Sequence, residues 1–337
     1  MISPESPVVI LGAGAIGCYL GAQWAAAGVP VTLLGRDRLL SLNDTGFAVE
    51  GGPDFTGAEL ARNPKVTTEP AVLANAGLIV LTVKSTALDA AVSQISTFSA
   101  SHTPVLCLLN GIAPVRRLAA ALPEREISAG MVPFNVVWRN ASTLRRSSVG
   151  EVILERSPAT RALSAAIGGS GISLSDDIRA VQYGKLLLNL NNPVNALSGK
   201  SLYHQLRERP YRLVYAAALQ EALDVYEGAQ IAHAKSGPLP ANRIVQMLRA
   251  PDWLFNTVAL RLQKLDPQSQ TSMAQDLAAG KPTEIDTING EIVDLATATG
   301  QIAPVNTKLV ELVKSASAGG QKTYTGAELH RAVLSTP

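Results

Sequence analysis

The sequence predicts an α/β fold, a doubly wound and mostly parallel sheet, followed by an all-α C-terminal half. Three observations carry this. The apolar run Val8-Val9-Ile10-Leu11 leads directly into Gly12-Ala13-Gly14-Ala15-Ile16-Gly17. Two further runs, Leu78–Val83 and Val105–Leu109, are continuously apolar, as strands covered on both faces must be. After Ser175 the apolar residues recur at helical spacing and strand signals largely disappear.

The first of these observations is the most informative. A glycine-rich turn between a buried strand and a helix is a phosphate cradle: the first glycine permits the tight turn, the second admits a pyrophosphate to the backbone N–H groups, and the third lets helix and strand pack closely. The positive end of the helix dipole then faces the phosphates. GxGxxG alone recurs by chance, so the flanking elements matter. Cys18 to Ala27 read as a helix of small residues, Gly28 stops it, and Val31-Thr32-Leu33-Leu34 restarts a strand, completing a βαβ unit of the Rossmann kind. Gly12, Ala13, Gly14, Ala15, Ile16 and Gly17 are therefore expected to hold a dinucleotide. An NAD site wants a carboxylate about 20 residues further on. Here Arg36 lies 19 residues beyond Gly17, and a guanidinium suits a ribose 2′-phosphate, so NADPH/NADP is the expected cofactor. The competing arrangement leaves Arg36 in solvent and turns Asp37 inward to the ribose. Arg38 offers a second positive contact, or simply an exposed side chain.

Downstream, a glycine-rich patch from Gly46 to Gly57 and a helix-like stretch precede the Leu78 strand. Glu126–Val137, Glu151–Glu155 and Ile172–Leu174 read as shorter strands finishing the sheet. Ser175 reads as a helix cap, followed by two first-turn carboxylates. Helices are expected over Tyr211–Ala232, Asn242–Leu248, Asp252–Lys264, Glu284–Thr299 and Asn306–Ser317, with glycine or proline breaks between them. The expected organisation is an NADP-binding Rossmann domain over 1–175 and a helical substrate and catalytic domain over 176–337, with the cleft between them as the site.

Composition excludes several function classes. The chain has 337 residues, 47% hydrophobic and 17% charged, with a net charge of +2, which gives no reason to expect nucleic acid or a membrane surface as partner. Two cysteines, Cys18 and Cys107, make neither a disulfide framework nor a zinc site. No apolar stretch has spanning length and the N-terminal residues lack a signal peptide's pattern, so a cytoplasmic protein is expected. The apolar helical half offers surface for a homodimer.

A nicotinamide cofactor needs a complementary proton donor. The four histidines, His102, His204, His233 and His330, sit in no motif. Lysine is the better candidate, because a desolvated ammonium has its pKa lowered into the range of a general acid. Lys185 opens Lys185-Leu186-Leu187-Leu188-Asn189, where the i and i+4 positions share a helix face. Asn191, Asn192, Pro193 and Asn195 follow; such poor helix design marks either function or a kinked packing helix with a snorkelling lysine. Farther on, Thr283-Glu284-Ile285-Asp286 reads, taken alone, as a helix start with first-turn carboxylates.

Four separated motifs together resemble the ketopantoate reductase (2-dehydropantoate 2-reductase) family along nearly the whole chain: the Gly12–Gly17 turn, Thr82-Val83-Lys84, Asn110-Gly111, and Lys185/Asn189 with Ser272, Thr283-Glu284-Ile285-Asp286 and Asn289-Gly290. The resemblance implies NADPH-dependent reduction of 2-dehydropantoate to (R)-pantoate in pantothenate and coenzyme A biosynthesis. In that scheme Lys185 is the general acid and Glu284 binds the substrate hydroxyl. Ser272 and Asn189 bond the 2-oxo acid, Asn110 sits between nicotinamide and lysine, and Lys84 lies near the cofactor. One departure stands out: the family's second asparagine, four residues after the first, is here Pro193, so Asn192 and Asn195 both become candidates for its substrate contact. Two other functions fit the same residues less fully: reduction of another 2-oxo acid, and a non-catalytic NADP-binding module.

Overall fold

The computed structural model describes residues 6–52, 55–59, 63–146, 150–237, 239–259, 268–321 and 323–335. The chain divides into two compact units, Met1–Ile178 and Arg179–Pro337.

The first unit is built on an eight-stranded sheet in the order β12-β11-β8-β7-β6-β1-β2-β5. Its strands are β1 (Val8–Leu11), β2 (Val31–Leu34), β5 (Lys65–Thr67), β6 (Leu78–Leu81), β7 (Val105–Cys107), β8 (Ile127–Met131), β11 (Val152–Glu155) and β12 (Ile172–Ser175). From β5 to β8 all neighbours run parallel, and the β8–β11 pairing alone is antiparallel. Alternate residues of β1 enter two different apolar clusters, Val8 and Ile10 one, Val9 and Leu11 the other, which is why the strand had to be apolar throughout. The helices α1 (Ala15–Ala26), α2 (Leu42–Thr45), α3 (Leu88–Phe98), α4 (Ala113–Ala121) and α5 (Pro158–Ala166) belong to this unit.

A second sheet, in the order β4-β3-β10-β9, was not legible in the sequence. The glycine-rich patch contains β3 (Ala48–Gly52) and β4 (Phe55–Glu59), since glycines obscure the alternation that marks a strand. The expected run Glu126–Val137 divides between the two sheets: β8 stops at Met131, Pro133 cannot donate to a ladder, and β9 (Val136–Trp138) pairs with β10 (Thr143–Arg146). The T-shaped contact of Phe134 with Tyr19 of α1, with centroids 5.4 Å apart, fastens this corner to the main sheet.

The second unit is helical. Ser175 ends β12, and its hydroxyl accepts from Asp177 N at 3.1 Å, so Asp176 and Asp177 precede the next helix instead of forming its first turn. That helix, α6, runs Ile178–Asn189, followed by α7 (Asn192–Ser198), α8 (Leu202–Arg207), α9 (Arg209–Gly228) and α10 (Ala241–Arg249). In the expected helix Asp252–Lys264, the described part is a single turn, Asp252–Leu254, passing into a wider turn, Phe255–Ala259; 260–264 lie outside the described residues. The remaining helices are Ser272–Ala278, Ile285–Ala298, Pro304–Ser317 and Gly326–Leu334. The 20-residue α9 is the centre, packing against α10 and the three last helices. Its Arg212 is wholly buried, donating to the carbonyls of Leu206, Leu248 and Ala250 and to Asp252, with its guanidinium 4.2 Å from the Phe255 ring centroid. No helix among the described residues is long and apolar enough to cross a membrane.

Candidate active site

Four groups converge at one edge of the large sheet because their strands are parallel: the Gly12 turn after β1, Arg36 after β2, Lys84 after β6 and Asn110 after β7. The order of the sheet reverses direction between β1 and β6, and the carboxyl ends of strands at such a point form the usual ligand crevice of this architecture. The glycines have distinct jobs. Gly12 has φ +106°, and a Cβ there would lie 2.6 Å from Val83 N. A Cβ on Gly17 would lie 2.5 Å from Thr82 Oγ1 and 2.6 Å from Gly12 O. Gly14 is different: it is exposed, and its nearest neighbour in the Cβ direction is 4.0 Å away. The first and third glycines therefore serve packing, while the second leaves an open approach to the N-terminus of α1. No side chain caps that helix. An uncapped N-terminus behind an open glycine fits a pyrophosphate.

Ala13 is buried, and Ala15 and Ile16 are half-buried in the first turn of α1. A Cβ on Gly35 would stand 2.7 Å from Ala13 Cβ, so the end of β2 abuts the glycine turn and Arg36 is its exposed neighbour. Asp37 and Arg38 are exposed as well. Lys84 is exposed and Asn110 half-buried, with Gly111 at φ +84° behind it. Sequence reasoning quoted Thr82 but gave it no job. Its hydroxyl donates to Gly12 O at 2.7 Å, binding the β6 end to the turn. Both cysteines are buried, and desolvation pushes their thiols up to about 12.

In the second unit, Lys185 lies on α6, partly buried, and desolvation lowers its ammonium to about 8, with the Glu284 carboxylate acting in the opposite direction. Glu284 stands at the N-cap position of the helix Ile285–Ala298, yet its side chain makes no capping bond there. Asp286 does behave as an ordinary surface carboxylate, pairing with Lys314 at 2.7 Å. Ser272 is exposed at the first position of its helix, which Thr271 caps by accepting from Ala274 N.

The asparagines after Lys185 divide sharply. Helix α6 ends at Asn189 and α7 begins at Asn192, so Pro193 occupies a first-turn position where its missing N–H is harmless, and the helix does not kink around it. Asn191 is buried and exchanges two hydrogen bonds with Gln205, at 3.1 and 3.2 Å. Asn195 is also buried. Its Oδ1 accepts from Thr271 N and Thr271 Oγ1, and its Nδ2 donates to Lys200 O. That amide joins α7 to the residue preceding Ser272. Asn189 and Asn192 are partly exposed and, among the described residues, neither amide is engaged. Asn289 of the last motif is buried, donating to Asn306 Oδ1 at 2.8 Å.

The chain matches the family model described as ketopantoate reductase PanE/ApbA over residues 8–158, and the model of the same family's C terminal over 177–317. It belongs to the ketopantoate reductase family. The 2-dehydropantoate 2-reductase of Pyrococcus horikoshii is 29% identical over 336 residues, covering 94% of this chain and 99% of that one. A PanE/ApbA family ketopantoate reductase from Ralstonia eutropha JMP134, of known structure, superposes with a TM-score of 0.78 at 26% identity, covering 93% and 99% of the two chains. D-mandelate dehydrogenase, solved with NADH and anilino(oxo)acetate, shares the fold with a TM-score of 0.76 at 21% identity, covering 93% and 99%. This is thus an oxidoreductase family with a nicotinamide cofactor and a small-molecule substrate.

Proposed function

We propose that this chain reduces 2-dehydropantoate to (R)-pantoate with NADPH, as a step of pantothenate and coenzyme A biosynthesis; relatives named 2-dehydropantoate 2-reductase support the reading. The observation that carries the reading is Lys185: an ammonium brought to about 8 by desolvation, against the pull of Glu284, on the same helix as Asn189, whose amide is engaged by none of the described residues. When bound at the glycine turn, the reduced cofactor supplies the hydride. Arg36 then takes the 2′-phosphate, the first-turn amides of α1 take the pyrophosphate, and Asn110 and Lys84 border the nicotinamide end. Lys185 gives a proton from Nζ to the ketone oxygen of the substrate, so that hydride plus proton converts the carbonyl to the alcohol. Glu284 accepts a hydrogen bond from the substrate hydroxyl. Asn189, Ser272 and Asn192 donate to the oxo-acid group, with Asn192 preferred to Asn195 because the Asn195 amide is consumed inside the fold. Within this reading residues 1–175 hold the cofactor and 176–337 carry substrate binding and proton transfer. A cytoplasmic homodimer is the expected form, to be checked by fractionation and light scattering.

The test is steady-state turnover with NADPH and 2-dehydropantoate. Lys185→Ala should lower kcat on the order of 10²- to 10⁴-fold; a loss under about tenfold, roughly 1.4 kcal/mol, removes the lysine from the role of acid. The protonated form is the active one, so wild-type kcat should be level at lower pH and fall about tenfold per unit as pH rises past about 8. Pro193 in place of the family's second asparagine favours a wider choice of 2-oxo acid. Equal kcat/KM on an oxo acid lacking the hydroxyl would take away the job given to Glu284.

A further inference from the structure

Glycine is the poorest ordinary residue for a helix interior, costing about 1 kcal/mol against alanine, yet Gly184 sits inside α6 immediately before Lys185. Its φ lies outside the left-handed region, so no backbone requirement explains it. Space does. A Cβ on Gly184 would come 2.1 Å from Ala234 O, 3.0 Å from Ala234 C and 2.8 Å from Ser236 Oγ. The serine hydroxyl can rotate away, but the Ala234 carbonyl is held: Ala234 N donates to Ala180 O at 2.7 Å, one turn earlier on the same face of α6, and Ile231 N donates to Tyr226 O at 2.8 Å. The segment continues along that face, where a Cβ on Gly237 would lie 3.9 Å from Leu188 Cδ1. On the α9 side, Tyr226 and Tyr215 donate their hydroxyls to Tyr183 O and Leu188 O. Helix α6 is thus clamped at the turn that bears Lys185.

We propose that Gly184 is a positioning residue for Lys185: by carrying no side chain it lets the backbone at Ala234 lie against α6, and this contact fixes where the ammonium stands. The inference rests on the role given to Lys185 above. An added methyl must push the segment and the helix apart, and Lys185, the next residue, moves with the helix. The ammonium then gains water. Glu284 is the charged group acting on it, and the segment's own His233 and Lys235 are solvent-exposed, so hydration is what changes.

The decisive measurement is a titration of the Lys185 side chain by NMR of ¹³C-lysine-labelled protein, its signal assigned by loss in Lys185→Arg, together with kcat. Gly184→Ala should move the Lys185 pKa up by about one unit from about 8 toward the ordinary 10.5, and lower kcat about tenfold, with the thermal midpoint kept within about 5 °C. A titration within about 0.2 unit of wild type in folded protein overturns the proposal. Should Gly184→Ala fail to fold, Ala234→Pro, which replaces the N–H bonded to Ala180 O with a ring carbon and so also presses the segment away from α6, decides it: an upward shift supports the clamp and an unchanged titration sinks it. The titration needs no turnover, so inactivity toward 2-dehydropantoate would count against the proposed function and leave this result readable.

Discussion

In the sheet-based unit the groups proposed for ligand contact stand in the open: Arg36 and Lys84 are exposed at strand ends, and Gly14 is exposed with its nearest neighbour in the Cβ direction 4.0 Å away. In the helical unit several polar side chains are instead spent inside the fold, Asn195 of the substrate candidates among them. Arg212, Asn191, Asn195 and Asn289 are buried and bonded to the chain, and only part of the polar set around Lys185 is left for a substrate. Parallel strands deliver their C-terminal residues to one edge whatever those residues are, so position there reads as function. Helices bury whole faces, and a buried polar group must be satisfied locally.

The contrast is broken most forcefully at the two arginines. Arg212→Met should lower stability by about 3 kcal/mol or more, because three carbonyls lose a charged donor and the Phe255 ring loses its partner. Urea unfolding measures it, and a loss below about 1 kcal/mol would mean the buried guanidinium contributes little. The asparagines sharpen the same contrast. Asn195→Ala should cost about 2 kcal/mol of stability through three hydrogen bonds. Asn192→Ala should leave the thermal midpoint in place and raise KM for 2-dehydropantoate about tenfold. Interchanged outcomes would return Asn195 to the substrate.

This division also explains what could be read beforehand. The βαβ unit was legible because Val8–Leu11, Gly12–Gly17 and Val31–Leu34 state strand, turn and strand within a short stretch of chain. The small sheet was not, since β3 is a short strand ending in two glycines and its partner β10 lies far along the chain, with Glu50 paired to Arg145. Along α6 and α7 the sequence displayed Lys185, Asn189, Asn191, Asn192 and Asn195 but not their partners: Gln205 and Thr271, which claim Asn191 and Asn195, lie elsewhere in the chain. Gly184 gave no signal, as its reason is a carbonyl 50 residues away.

On the open side, Arg36→Ala should raise KM for NADPH about tenfold, leave KM for NADH unchanged and leave unfolding unaffected, because the side chain is exposed. Equal losses with both cofactors would show that Arg36 holds something other than the 2′-phosphate, and Asp37 would regain its claim on the ribose.

The smallest effect falls at the boundary between the two kinds of residue. Thr82 touches no ligand in the proposed scheme, yet its hydroxyl holds Gly12 O at 2.7 Å and its oxygen occupies the space that a Cβ on Gly17 would enter. Thr82→Val keeps nearly the same shape and deletes one hydrogen bond, worth about 1 kcal/mol. If that bond preorganises the turn for a pyrophosphate, NADPH affinity should fall roughly fivefold, by about the same energy. A lower thermal midpoint with unchanged NADPH affinity would instead make Thr82 a fastening of the sheet alone, and the phosphate cradle would then owe its geometry to the glycines.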